Sequence, residues 1–112
     1  MYRKNKFNAK LDNKHRSEAE RVRAAQLRLM ERAGQIQGLS EQVKFELLPK
    51  QDGEEAAFYI ADFTYWRNGE FIVEDVKGLQ KGDAYRLFVL KRKMMLWRYN
   101  IKVKETKYGR DF

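Results

Sequence analysis

The sequence predicts an α/β domain whose elements run helix, three strands, helix, strand. Three observations carry that reading. Ser17 followed by Glu20 opens an apolar-periodic run, as at the start of a helix. Three stretches then alternate apolar and polar residues, two of them joined across Asn68-Gly69. A long segment that is apolar on two sides follows Asp83, and a short alternating stretch comes after it. With 112 residues and 43% hydrophobic content, the chain has room for one core. We read residues 1–16 as a flexible basic arm and residues 17–112 as a single domain.

The arm is rich in Lys, Arg and Asn and too poor in apolar residues to pack by itself. In the first helix Ser17 and Glu20 form a capping box, each side chain satisfying an orphan amide. At 100° per residue Glu18 falls in line with Val22, Ala25 and Leu29, the stripe expected to face the core, while Glu20 lies opposite. Glu18 is thus the acid available for chemistry, or else simply an acid favoured by the positive end of the helix dipole. Gly34 suits the helix end.

After a loop through Gly38, residues 43–47 read as a half-buried strand, broken by Pro49 and Gln51-Asp52-Gly53-Glu54. Residues 57–66 and 70–77 read as antiparallel neighbours around the Asn-Gly turn, which brings Asp62 within reach of Asp75. Residues 78–82 form a loop, and Asp83 caps a helix running to about Tyr99. Tyr85, Phe88, Val89, Met95, Leu96 and Tyr99 cover the sheet, whereas Leu87, Leu90, Met94 and Trp97 form a second apolar face. That face calls for a partner, either the first helix or a second subunit. Residues 101–105 read as the last strand.

The net charge of +8 favours phosphate backbones through counterion release. The absence of cysteine excludes disulfides and thiolate metal sites, and the single histidine, His15, lies in the arm without partners. No apolar run approaches ~18 residues and no secretory leader is visible, so a soluble cytoplasmic protein is expected.

Chemistry concentrates in Asp62 and in Asp75-Val76-Lys77-Gly78. Residues i and i+2 of a strand share a face, so Asp75 and Lys77 project together while Val76 turns away. Asp62 and Asp75, with the Val76 carbonyl, supply the oxygen ligands that suit Mg²⁺, and Glu18 could complete the shell. Lys77 supplies charge to orient a water or to stabilise phosphate oxygens. Glu74 points with Ile72 and Val76 to the opposite face and ranks below Asp75 as a ligand. The plainer alternative is a solvated strand face whose Asp75–Lys77 pair contributes less than ~1 kcal/mol.

Several ordered strings extend this pattern. Ser17-Glu18-Ala19-Glu20-Arg21, residues 39–47 with Gln42 and Phe45, Tyr59-Ile60-Ala61-Asp62-Phe63, Val73-Glu74-Asp75-Val76-Lys77-Gly78, and Tyr85-Arg86-Leu87 with Lys91-Arg92-Lys93 all stand in order. Together they resemble the PD-(D/E)XK nuclease superfamily, and within it small phage-encoded endonucleases similar to archaeal-type Holliday junction resolvases. The likeness covers residues 7–105. It implies a mixed sheet flanked by helices, with Asp62 and Asp75 as metal ligands, Lys77 as the catalytic lysine and Glu18 as the helix acid. Gln42 matches a glutamine of the family pattern whose role the residues do not define. Ala61 replaces the superfamily's proline, and Asn13-Lys14-His15-Arg16 replaces a glycine-phenylalanine-aspartate-serine stretch common in relatives.

The implied activity is Mg²⁺-dependent cleavage, with Mn²⁺ able to substitute, of four-way DNA junctions in phage or prophage recombination, by a homodimer in the host cytoplasm. Arg86, Lys91, Lys93, Lys102 and Lys104 would hold phosphates without reading sequence. Two alternatives remain: a nuclease of flaps, nicks or single strands, and a basic DNA-binding accessory without activity.

Overall fold

A computed structural model describes residues 18–78, 81–107 and 111 of the chain. The basic arm and the Ser17 cap lie outside the described residues, as does part of the loop at 78–82. Helix α1 covers residues 18–32. Gly34, at φ 78, ends it, and the Gln35 amide donates to the Met30 carbonyl at 2.9 Å, a glycine-terminated cap of the kind expected there.

Three antiparallel strands follow: β1 (Gln37–Leu48), β2 (Ala57–Arg67) and β3 (Glu70–Lys77). The β2–β3 turn has Asn68 at φ 53 and Gly69 at φ 78, the left-handed pair that an Asn-Gly hairpin needs. Helix α2 (Asp83–Tyr99) leads to β4 (Lys104–Lys107), which runs parallel to β3. The sheet is mixed, in the order β1-β2-β3-β4.

Three boundaries differ from expectation. Strand β1 begins six residues earlier than alternation indicates, because Gly38 sits inside the strand at φ 65, where the register shifts between Gln37 and Ser40. A glycine at a bulge reads as a loop in sequence. Gly82, and not Asp83, occupies the N-cap of α2; Asp83 stands in the first turn and makes no capping hydrogen bond. Pairing of β4 starts only at Lys104, opposite Glu74, although the approach already buries Val103.

The two helices lie on opposite faces of the sheet. Ala19, Ala24 and Leu27 of α1 pack with Ile36, Phe63, Tyr65 and Val76. Phe88 and Met95 of α2 pack with Leu47, Tyr59, Ala61, Val73 and Val103. Val73 and Val76 have opposite parity on β3, so these clusters occupy its two sides. On β2, however, Tyr59, Ala61, Phe63 and Tyr65 share one parity and yet divide between the clusters, so the strand changes face across Asp62. Opposite it on β1, between the pairs Glu41–Phe63 and Val43–Ala61, Gln42 adopts φ 54.

Two burial expectations are corrected. The core stripe of α1 is Ala19, Arg23, Ala24 and Leu27, while Glu18, Val22, Ala25 and Leu29 are exposed. On α2, Phe88 and Met95 are buried, Tyr85 and Val89 are partly so, and Tyr99 meets β1 through its ring contact with Phe45 and its hydroxyl bond to the Glu46 carbonyl, but Leu96 stays exposed. Leu87, Leu90 and Trp97, the last 77% exposed, lie open. With α1 across the sheet, the first helix does not cover that stripe. No helix among the described residues is long and apolar enough to cross a membrane.

Candidate active site

Strands β2 and β3 stop pairing at Phe63–Glu74, and beyond that point β3 continues beside β4 alone. Antiparallel register makes Asp62 and Asp75 the next residues along each strand. The carboxylate of Asp62 takes over where the ladder ends: its Oδ2 accepts the Val76 N–H at 2.8 Å. Asp62 therefore reaches the main chain midway between Asp75 and Lys77.

On the α2 side of β3, Lys77 Nζ lies 2.9 Å from Asp75 Oδ1 and 4.2 Å from the centre of the Phe88 ring. The Tyr59 hydroxyl donates to Asp75 Oδ2 at 2.6 Å. Asp75 is only 2% exposed, so its charge is held by these neighbours and not by water. The ammonium, though close, is not aligned as a donor, and Asp75 Oδ1 receives no directed hydrogen bond among the described residues. A buried carboxylate oxygen with spare acceptor capacity, one residue along the strand from the amide that binds a second carboxylate, suits a hard cation. Mg²⁺ is commonly held by one or two carboxylates with water and phosphate oxygens completing the shell. Asp62, Asp75 and the Val76 carbonyl are the groups that would hold it.

Glu74, adjacent to Asp75, points to the α1 side as expected. Its Oε2 accepts Arg23 Nε at 2.7 Å, and its Oε1 accepts Arg23 Nη2 at 2.9 Å and the Tyr65 hydroxyl at 2.7 Å. Burial pushes the Glu74 carboxyl up, but the hydrogen bonds from Arg23 and Tyr65, with the charges of Arg23 and Lys104, outweigh it and hold its pKa below the usual carboxylate value. The same hydrogen bond raises Arg23, and burial followed by the Glu74 contact raises Tyr65. Every lone pair facing a donor here is used, so Glu74 ties α1 to the sheet.

The remaining expected residues are dispersed. Glu18 is exposed on the solvent side of α1, away from the stripe that packs on the sheet. Glu20 instead lines a pocket with Arg21, Arg28, Glu41, Gln42 and Phe63. Gln42 Nε2 stands 3.5 Å from Asp62 Oδ1, a long contact that gives this side chain a place beside the site. Lys93 and Lys102 border one shallow depression with Arg92 and Leu96. Arg86 pairs at 3.0 Å with Asp83, both on the surface, and Lys91 is partly buried. Lys104 is in register with Glu74 and so belongs to the opposite face of the sheet. The five basic residues do not form one surface.

Sequence reasoning missed Tyr59, Arg23 and Glu105. Glu105 pairs in register with Asp75 and accepts from Tyr85 at 3.1 Å and Arg92 at 3.4 Å. A signal existed for Arg23: a cation on a helix stripe that is otherwise Ala and Leu needs a buried acid. None existed for Tyr59, whose orientation depends on the face change at Asp62.

The family described as "Protein of unknown function (DUF1064)" matches residues 1–110, and the chain belongs to it. No curated protein and no solved structure matches the chain.

Proposed function

We propose that this member of the DUF1064 family is a metal-dependent endonuclease of the PD-(D/E)XK type, acting on branched DNA and most of all on four-way junctions. One observation carries the reading. Asp75 and Lys77 meet at 2.9 Å at the end of β3, while Asp62 binds the N–H of the residue between them. The mixed sheet with helices on both faces and the net charge of +8 support it further.

Asp62, Asp75 and the Val76 carbonyl are the proposed ligands of Mg²⁺ or Mn²⁺. When bound, the ion would polarise the scissile phosphate and lower the pKa of a bound water. Lys77 lies next to the ligand carboxylate, where a positive charge can orient the attacking water and stabilise the phosphate oxygens as charge builds on them. Its contact with Phe88 limits where the ammonium can go. For the helix acid, Glu20 beside Gln42 is a better candidate than the exposed Glu18. Lys93 and Lys102 are the basic pair best placed to share a phosphate.

Two active sites cutting opposed strands require a two-fold dimer. The open stripe of Leu87, Leu90 and Trp97 on α2 is the surface we assign to it. Leu90→Glu should convert a dimer into a monomer in sedimentation, and an unchanged mass would remove that surface from the proposal.

The test of activity is cleavage of a synthetic four-way junction, with linear duplex, flap and single-stranded DNA as competitors. Paired symmetric nicks that need Mg²⁺ and vanish in Asp75→Asn are expected. Preference for flaps or single strands would keep the nuclease and change its substrate. Salt-sensitive binding without any cleavage would leave a DNA-binding accessory.

A further inference from the structure

We propose that Tyr59 is a positioning residue of this site, its hydroxyl fixing the Asp75 carboxylate so that Oδ1 is presented toward Lys77 and an incoming cation. The inference rests on the reading of Asp75 as a cation ligand.

Tyr59 and Asp75 are 3% and 2% exposed, so neither exchanges its partner for bulk water. The 2.6 Å separation is that of a phenol donating to an ionised carboxylate, among the stronger hydrogen bonds in proteins. The ring cannot readily swing away, because it packs between Phe45 and Phe88 at 6.4 Å from each. The hydroxyl is also neutral. An arginine at this point would donate to both carboxylate oxygens, as Arg23 does for Glu74, whereas one O–H leaves the other oxygen able to bind a cation.

The backbone explains how β2 delivers both groups. Because the strand changes face across Asp62, Tyr59 projects to the α2 side, where Asp75 lies, while Asp62 itself turns to the Val76 N–H. Each carboxylate then has a firm neutral donor, a main-chain amide for Asp62 and a phenol for Asp75. Partners of this kind orient ligands, and removing one typically lowers metal affinity about 10–100-fold.

Tyr59→Phe deletes the hydroxyl and keeps the ring. Mn²⁺ binding, measured by electron paramagnetic resonance on wild type, Tyr59→Phe and Tyr65→Phe, should weaken on the order of 10-fold or more in Tyr59→Phe alone. Saturating Mn²⁺ should restore most of its cleavage, a rescue that a merely structural role would not produce. Equal affinity in Tyr59→Phe and wild type overturns the inference, as does an equal loss in Tyr65→Phe. If wild type itself binds no Mn²⁺, the metal-site reading fails and takes this inference with it. Should Tyr59→Phe not fold, the ¹³Cζ resonance of Tyr59 in the wild-type protein decides: it should shift on titration with Mg²⁺, and an unmoved resonance overturns the assignment.

Discussion

Glu74 and Asp75 are neighbours on β3, and each meets one cation and one tyrosine, yet the two faces of the strand use those parts differently. On the α1 side, Arg23 arrives from another element and grips both oxygens of Glu74, with Tyr65 adding a third donor. On the α2 side, the cation is Lys77 of the same strand, a point charge 2.9 Å from Asp75 Oδ1 without donor alignment, and Tyr59 holds only Oδ2. A rigid guanidinium fork closes the first site, whereas a flexible ammonium leaves acceptor capacity in the second. The first joins a helix to the sheet; the second keeps one acceptor open. Two buried acids side by side can therefore be told apart by how completely their lone pairs are used.

The sharpest way to break this contrast is by cleavage. Asp75→Asn should abolish it. Lys77→Ala should lower the rate on the order of 10²–10³-fold, the usual cost of removing one group that stabilises developing charge. Glu74→Gln, assayed at low temperature where it stays folded, should cut at near the wild-type rate. Equal losses in Glu74→Gln and Asp75→Asn would place both acids in one functional unit.

Stability should show the reverse order. Glu74→Gln leaves Arg23 buried without its counter-charge, which costs about 3–5 kcal/mol. That is a large share of the roughly 5–15 kcal/mol typical of a domain. Acid denaturation sharpens the point. The Glu74 pKa is lowered by folding, so its contribution is fully present above the unfolded carboxylate value of 4.5 and is lost as pH falls through the depressed folded value. The wild-type melting temperature should fall with acidification below about pH 4.5. Glu74→Gln should start lower and fall less, and parallel curves for the two proteins would mean that Glu74 does not carry the acid sensitivity. Tyr65→Phe, which removes one of three donors to Glu74, should cost about 1 kcal/mol.

The pattern of alternation exposes β3 in full and β2 nearly so, and the Asn-Gly pair announces their turn, because each depends on local chemistry. Asp75 and Lys77 on one face and Glu74 on the other follow from the same two-residue period. What alternation could not reveal is the change of face at Asp62, where β2 stops pairing with β3. Without it, Tyr59 has no reason to meet Asp75. The α1 stripe misled for a different reason: Glu18, Val22, Ala25 and Leu29 are a valid helical line, but Ala19, Ala24 and Leu27 pack more closely and admit Arg23 to reach Glu74. Apolar periodicity alone does not count a buried cation as core.

Gln42 marks the smallest expected effect and tests what holds Asp62. Its amide lies 3.5 Å from Asp62 Oδ1, at the outer limit of a hydrogen bond, and the side chain is exposed to competing water. The Val76 N–H, at 2.8 Å and buried, is the stronger donor. Gln42 also carries φ 54, a conformation that glycine adopts without the steric cost of a Cβ. Gln42→Gly should therefore remove a weak contact and relieve backbone strain together, leaving stability within about 0.5–1 kcal/mol of wild type. Cleavage should fall no more than a few-fold. A loss as complete as that of Asp75→Asn, with the melting temperature unchanged, would mean that the exposed amide and not the main chain governs Asp62, and Gln42 would then count among the residues that act on the substrate.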